Sequence, residues 1–321
     1  MSQFTRSILI TGGTLGLGFH AATELARQLP NHCIVVASRK DADQSAASIN
    51  KKLGRNNVQF MPLDLSDLKN VRSFVQSWGE KSLPPISHLL LNAALQFPGE
   101  TQYTVDGFEA TFGISHVGHA LLFHLLQPYL ADEARIIVTS SGTHDPAQKS
   151  GLPDATYNTA EEVAHPPASA QKVSGRFYYS TSKLCNILWT YALHRRLTKL
   201  PNKTWTVVAF DPGLMPGTGL ARDAGPVLRF LWHSVMPSVI PLLKCLISPN
   251  VHTPEESGAN LAWVALNDRA KTTSGVYYEM REQIKSSKDS YNEAKQEDLW
   301  AWTIKTLAAN DKERDDFELV H

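Results

Sequence analysis

The sequence predicts a doubly wound α/β protein: a parallel sheet flanked by helices, built as one domain over residues 1–321. Three observations predict it. Short, almost wholly apolar runs recur between residues 7 and 140: SILIT from Ser7, HCIVVAS from His32, VQFMPL from Val58, HLLLN from His88 and ARIIVTS from Ala134. Amphipathic stretches of helical length alternate with them, at 17–29, 41–53, 68–78 and, longer, 105–130. A glycine-rich turn follows the first run at once. Apolar runs of this kind fit strands covered on both faces, and the spacers suit crossover helices, so the strands lie parallel. Ligands of such sheets sit beyond the carboxyl ends of the strands, which makes the residues just after each run the functional candidates.

After Thr139 the rhythm breaks into a polar segment, His144 to Arg176, carrying Pro146, Pro153, Pro166 and Pro167. A stretch of that length without periodicity reads as a lid or a mobile segment. The alternation resumes with a helix from Tyr179 to Leu200, a strand from Trp205 to Phe210, a Gly/Pro-rich loop to Gly225 and a helix from Pro254 to Leu266. A turn at Thr272 to Gly275 leads into a last strand, Val276 to Tyr278. A helix around Asn292 to Leu307 follows, and then a charged tail that reads as a frayed end. Val227 to Ile247 is apolar enough to bring a membrane span to mind, but Arg229, His233 and Lys244 lie within it and Pro237 and Pro241 interrupt it. Two readings stay open there: a buried helix pair, or an apolar substrate lid in peripheral contact with a membrane. The lid elements are thus expected at about 143–176 and 214–250.

The charge balance, 31 Lys plus Arg against 31 Asp plus Glu, excludes a nucleic-acid binder that lives off phosphate contacts. At 42% hydrophobic and 19% charged, the chain has the composition of a soluble globular protein, not of a disordered, collagenous or coiled-coil one. Cys33, Cys185 and Cys245 are too scattered for a disulfide framework or a metal cluster, and point to a reducing, cytoplasmic setting. The apolar run at Ser7 to Ile10 is too short for a signal peptide and reads as a strand. His116, His119 and His124 read as packing or capping residues of the long helix, and no metal site is expected.

Three motifs carry chemistry. The turn Thr11-Gly12-Gly13-Thr14-Leu15-Gly16-Leu17-Gly18 lies between the first strand and the first helix. Its glycines let backbone approach a pyrophosphate, and the helix N-terminus offers free N–H donors and a positive dipole end, so this is a dinucleotide site. The second strand runs into Ser38, Arg39 and Lys40, about 20 residues on. An acidic residue there would bind the 2′-hydroxyl of NAD, whereas Arg39 suits the 2′-phosphate of NADP; Asp41 keeps NAD open. Third, Tyr179 and Lys183 stand at i and i+4 on one helix face, where the ammonium favours the ionised phenol and makes it a usable acid or base. Ser140 and Ser141 close the fifth strand, at the edge where substrate should sit.

With these residues in view, the chain resembles the short-chain dehydrogenase/reductase superfamily over residues 7 to about 280. It is most similar to the group that holds retinol dehydrogenases and protochlorophyllide reductases. The matching stretches are Thr11 to Gly18, Asp64-Leu65, Leu91 to Ala94, Ser115 to His119, Val138 to Ser141, Tyr179 to Asn186, and Pro212-Gly213 through Thr218-Gly219-Leu220. The helix start Pro254 to Gly258 and Ser274 to Tyr278 resemble the C-terminal part of that group. The resemblance implies a Rossmann-type fold. It makes Tyr179 the proton donor or acceptor and Lys183 its activator and a ligand to the nicotinamide ribose. Ser141 would hold the substrate carbonyl oxygen, with Ser140 the other member of the pair. It also implies Asp64 at the adenine amine with Leu65 beside it, Asn92 and Ala93 at the adenosine ribose, and Pro212-Gly213-Leu214 along the nicotinamide with Thr218 near its phosphate or carboxamide. Read without the family, Asp64, Ser66 and Asp67 are helix-start caps.

Three departures from the family pattern stand out. Ser115 replaces an Asn that helps hold a water of the proton relay, which implies a weakened or rerouted relay. Ala94 replaces a glycine, and Leu214 stands where light-driven relatives carry Cys, which argues against photochemistry. The expected function is an NADPH-dependent carbonyl reductase, or the reverse alcohol dehydrogenase. Its substrate is a small lipophilic or polycyclic molecule, walled in by the loop around His144, the turn after Pro212, and Leu228, Phe230, Leu231 and Trp232. The alternatives are a C=C double-bond reductase, and an NADPH-binding protein with a non-redox or regulatory role. Many relatives pair the helices at 105–130 and 179–200 in a homodimer, an arrangement that the long C-terminal part of this chain stands to block.

Overall fold

The computed structural model describes residues 4–97, 99–167, 174–217, 232, 234, 236–246 and 248–319. Its centre is an eight-stranded sheet in the order β3-β2-β1-β4-β5-β6-β7-β8. The strands are β1 (Arg6–Thr11), β2 (His32–Ser38), β3 (Val58–Pro62), β4 (Ile86–Leu91), β5 (Leu130–Thr139), β6 (Thr204–Asp211), β7 (Val276–Glu279) and β8 (Glu282–Ile284). All neighbours are parallel except β7 and β8. The order reverses direction between β1 and β4, so a crevice opens at their carboxyl ends.

Helices cover both faces: α1 (Gly16–Gln28), α2 (Ser45–Leu53), α3 (Leu68–Glu80), α4 (Ala110–Phe112), α5 (Gly118–Leu126), α6 (Ala160–Ala164), α7 (Gly175–Leu197), α8 (Ile240–Leu246), α9 (Pro254–Leu266), α10 (Asp268–Lys271), α11 (Glu293–Leu307) and α12 (Asp311–Glu318). The strand period of two sorts the apolar runs between two cores. Ile8, Ile10, Ile34 and Val36 pack with Leu17, Ala21, Leu25 and Leu261 of α1 and α9. Leu9, Val35, Ile136 and Val138 pack on the opposite side with Phe74, Leu121, Leu188 and Leu299 of α3, α5, α7 and α11. Both faces being buried is why these strands read as continuous apolar runs.

Several elements differ from the sequence expectation. The stretch at 105–130 is not one helix. Val105 is exposed, and helix begins only at Ala110, where the buried Glu109 carboxylate accepts from the Thr111 and Phe112 amides at 3.0 and 2.7 Å. It then passes through a π turn, Gly113–Val117, into α5. The helix expected from Tyr179 begins at Gly175, capped by Ser174, so Tyr179 sits in its second turn. The hairpin strand β8 had no clear signal, being a short polar edge strand. The charged tail is a helix rather than a frayed end: Asn310 caps α12, and Phe317 is buried with its ring stacked 4.6 Å from that of His124. One aromatic and an Arg72–Glu313 ion pair at 2.8 Å tie down an otherwise polar segment.

The segment expected as a first lid is partly packed into the body. Tyr157, Ala160 and Val163 lie in the core beside α11, and the Tyr157 hydroxyl donates to Asp298 at 2.6 Å. Part of the second lid, 218–231 with Leu228, Phe230 and Leu231, lies outside the described residues. Beyond it, α8 exposes Leu242 and Leu246. No described helix is long and apolar enough to cross a membrane. The helices of the possible homodimer contact, α5 and α7, have parts of the chain's own C-terminal region packed on them. Helix α11 lies along α7, with Arg195 and Arg196 paired to Glu297 and the Arg196 guanidinium 4.0 Å over the Trp300 ring, while α12 closes over His124.

Helices α1 and α9 cross at Gly258. A Cβ there would stand 2.5 Å from the His20 Cβ and 2.8 Å from the Ala21 amide nitrogen. Gly258→Ala should therefore lower stability in urea unfolding by about 1–3 kcal/mol of overpacking, more than the roughly 1 kcal/mol that alanine gains in helix propensity. The buried histidines make a second expectation. Desolvation lowers the pKa of His116 to about 3, of His119 to about 4 and of His124 to about 3. They stay neutral in the fold but gain protons in the unfolded chain below its pKa near 6.5, so stability falls as pH drops from about 6.5 towards 4. Each contributes up to about 1.4 kcal/mol per pH unit. Melting curves between pH 7 and pH 5 should show that fall, and His124→Gln should make it shallower.

Candidate active site

The glycine turn closes the carboxyl end of β1. Gly12 has φ of 66° and Gly16 of 51°, and a Cβ at Gly18 would lie 2.3 Å from the Gly12 carbonyl oxygen. Backbone thus packs on backbone, and α1 starts at Leu15 with no side-chain cap and no acidic residue in its first turn. Its orphan amides and dipole end are left open to an anion. Thr11 is wholly buried behind this turn. Its hydroxyl accepts from the Asn92 and Ala93 amides at 2.8 and 3.0 Å and donates to His119 Nε2 at 2.8 Å, so it binds the ends of β1 and β4 together. The Asn92 amide donates to the Thr11 carbonyl at 2.9 Å. Thr14 donates to Ser38 at 3.1 Å, and Leu17 turns inward into the core.

On the β2 side, Arg39 and Lys40 are exposed and make no ion pair among the described residues. The Asp41 carboxylate is already engaged, accepting from the Ser45 amide at 2.7 Å at the start of α2. Asp64 shapes the turn before α3: it accepts from the Ser66 amide at 2.9 Å and hydroxyl at 2.6 Å, while Asp67 makes the cap itself. The capping role read from the residues alone thus falls mainly to Asp67. Leu65 packs its backbone against α5, where a Cβ on Gly118 would meet its carbonyl oxygen at 2.4 Å.

The third group gathers at the ends of β5 and β6. Tyr179 and Lys183 share a face of α7, with the Lys183 Nζ 5.3 Å from the centre of the Tyr179 ring and donating to the Thr139 carbonyl at 3.3 Å. Of the two serines, Ser140 is buried and donates to the Lys183 carbonyl at 2.8 Å, whereas Ser141 is part-exposed and lies on the side of the Tyr179 hydroxyl, whose pKa it lowers. Burial pulls Lys183 down to about 8, opposed by the charge of Asp211. Burial also pushes the Tyr179 phenol up, as does Asp211, against Ser141. Gly213, at φ of 77°, opens the turn after β6, and the Pro212 carbonyl accepts from Ser257 of α9 at 2.7 Å. Thr218 lies outside the described residues.

The structure gives Asp211 and Asn186 roles that no sequence motif assigned. Asp211 is buried and accepts from the Gly213 amide at 2.9 Å, the Asn250 amide at 3.1 Å and the Tyr277 hydroxyl at 3.1 Å. Its position directly before Pro212-Gly213, at a strand end, was the signal available. Asn186, one helical turn past Lys183, donates to the same Thr139 carbonyl at 3.0 Å. Ser115 lies on the π turn. Its hydroxyl is buried without a partner among the described residues, and its carbonyl accepts from His119 Nδ1 at 3.1 Å.

A glycine cradle at a helix start, a basic strand end and a Ser-Tyr-Lys cluster thus all lie at the carboxyl edge of the parallel sheet, where ligands of such folds bind. The chain is also similar to known proteins. The sequence model of the short chain dehydrogenase family matches residues 6–153. A chloroplast protochlorophyllide reductase of Pisum sativum is 32% identical over 288 residues, covering 85% of this chain and 69% of its own. The human polyprenol dehydrogenase is 29% identical over 303 residues, with 92% and 83% covered. Among solved structures, an uncharacterised protein from Mycobacterium paratuberculosis superposes with a TM-score of 0.68 at 25% identity, over 95% of this chain and 94% of that one. The chain therefore belongs to the short-chain dehydrogenase/reductase superfamily, in its retinol dehydrogenase and protochlorophyllide reductase-like group, and is an oxidoreductase that uses a nicotinamide cofactor.

Proposed function

We propose that the chain uses NADPH to reduce the carbonyl of a lipophilic small molecule, polycyclic ones included, or runs the reverse oxidation of the secondary alcohol. The observation that carries this reading is that Tyr179 and Lys183 lie together, with Ser141 as a neighbour of the phenol, at the same carboxyl edge of the sheet as the glycine turn. The cradle fits the cofactor: a side chain at Gly18 would fill the close approach to Gly12, and the start of α1 is free of acidic side chains. Thr14, Gly16, Leu17 and Gly18 would hold its pyrophosphate, and Asn92 and Pro212-Gly213 would border its two riboside ends. The preference for the 2′-phosphate is supported by exposed Arg39 and Lys40 and by the engagement of Asp41 with Ser45.

When bound, the cofactor supplies a hydride. The chain's own residues do the rest. Ser141 holds the carbonyl oxygen, and Tyr179, on the Ser141 side, delivers its proton there as negative charge develops. The Lys183 charge stabilises the phenolate that results. The apolar stretch at 227–247, the exposed Leu242 and Leu246, and relatives named for protochlorophyllide and polyprenol support a lipophilic substrate. A second reading, a cofactor-binding protein without net redox turnover, is favoured by the orphaned Ser115 hydroxyl at the position of the usual Asn.

Incubation with NADPH and a panel of retinoid, steroid and aromatic ketones should oxidise the cofactor and yield alcohols by mass and NMR. Saturated ketones would assign the C=C reductase reading instead, and NADPH fluorescence quenching without any turnover would favour the second reading. Tyr179→Phe should lose about 10²-fold or more in rate. Reduction should decline as pH rises through about 8, where Lys183 loses its charge. For the cofactor, Arg39→Ala should weaken NADPH binding about tenfold or more, the worth of a charge-assisted hydrogen bond, and leave NADH unchanged. Gly18→Ala should weaken both alike; equal losses in Arg39→Ala would refute the NADP preference.

A further inference from the structure

His144 lies three residues past Ser141 and is buried, yet the chemistry above makes no use of it. Both ring nitrogens are engaged. Nδ1 is 2.7 Å from the Ser141 carbonyl oxygen, and Nε2 is 2.9 Å from the Ser287 amide. A carbonyl only accepts and an amide N–H only donates, so the ring carries its hydrogen on Nδ1 and is neutral. Burial, the largest influence, holds the imidazole below its ordinary pKa against the Ser141 carbonyl and the charges of Asp211 and Asp145. The ring stands edge-on to Tyr277 at 5.0 Å.

The far partner belongs to a strap, Ser286 to Tyr291, that lies beyond the part of the chain matched by the family model. The strap is pinned by its own serines. Ser286 and Ser290 hydroxyls meet at 2.7 Å, and Ser290 donates to the Ser287 carbonyl at 2.6 Å. It is also pinned to α7: the Tyr191 hydroxyl meets Ser286 Oγ at 2.6 Å, and the Tyr191 ring stacks on that of Tyr291 at 5.3 Å. Three helical turns earlier, α7 carries Tyr179, whose hydroxyl feels Ser141 as a pKa-lowering neighbour. The contacts form a circuit from Ser141 through His144, Ser287, Ser286 and Tyr191 to the helix of Tyr179, whose hydroxyl stands on the Ser141 side.

We propose that His144 is a positioning residue: it ties the backbone of Ser141 to the 286–291 strap, and through Tyr191 to the helix that carries Tyr179, so that the two hydroxyls meet a substrate oxygen in one fixed geometry. The proposal rests on the carbonyl-reductase reading for what is positioned, and on the contacts alone for the bridge. A small misplacement at a reacting centre costs up to about 10²-fold in rate, so a loosened Ser141 is measurable.

The test has two parts. Amide hydrogen exchange, followed by NMR on the cofactor-free protein, should find the Ser287 amide protected in the parent. It should be unprotected in His144→Ala and His144→Asn, and protected again in His144→Gln, whose amide oxygen reaches to where Nε2 sits. In ketone reduction, His144→Ala should lose about tenfold in kcat with NADPH affinity unchanged. Tyr191→Phe, which cuts the circuit far from Ser141, should lower kcat too, and the double variant should fall no further than the larger single loss. A rapidly exchanging Ser287 amide in the parent, a kcat kept in a variant that has lost the protection, or strictly additive losses would each overturn the proposal. A parent that binds NADPH but reduces no ketone would instead overturn the reductase reading, and the exchange data would still decide whether His144 holds the strap.

Discussion

Lys183 is an ammonium group 1% exposed in the middle of the molecule, and the site is organised around making that tolerable. An unpaired buried charge costs several kcal/mol or discharges. Here the compensation is divided. The Thr139 carbonyl takes one N–H, the Tyr179 ring lies alongside, and the Asp211 carboxylate supplies the opposite charge from the end of β6. Asp211 is itself affordable only because Gly213, Asn250 and Tyr277 donate to it. One buried cation therefore draws in β5, β6, β7, the turn after β6 and the loop before α9.

Helix α7 needs cover on every side to hold that cation, because its buried residues run all round the helix from Tyr178 to Leu193. The sheet covers one side; α5 with its π turn and α11 cover the others. The π turn frees the Ser115 carbonyl, which finds His119, and His119 in turn holds Thr11 at the cofactor turn. The cofactor cradle and the proton-handling cluster are thereby joined through one neutral imidazole, and the Ser141 turn is joined to α7 through another, His144. In each ring the tautomer follows from partners that can only accept or only donate.

Much of the fold was legible because its signals are local. Strands buried on both faces have to be apolar at nearly every position, and the glycine turn has to carry Gly12 and Gly18 because no other residue lets β1, α1 and β4 approach so closely. Tyr179 and Lys183 were legible because helical spacing alone puts them side by side. The misses have equally plain causes. In α12 a single Phe317 decides the docking of a charged segment, and β8 is a three-residue edge strand in which Ile284 alone packs on a core, too short to show a period. The break at 105–110 depends on Glu109, whose capping role looks like any solvent-facing charge in sequence.

The sequence by itself determined the parallel order of strands and helices, the cofactor turn, the basic end of β2 and the pairing of Tyr179 with Lys183, because each depends on residues within a few positions of one another. Only the tertiary structure decided that Ser141 rather than Ser140 meets the phenol, that Asp211 is the counter-charge, and that His144 fastens the serine turn to a strap 143 residues away. Those depend on which strand ends lie side by side and which hydroxyls are already spent on backbone, and neither is fixed until the sheet is assembled and its polar groups have found their partners.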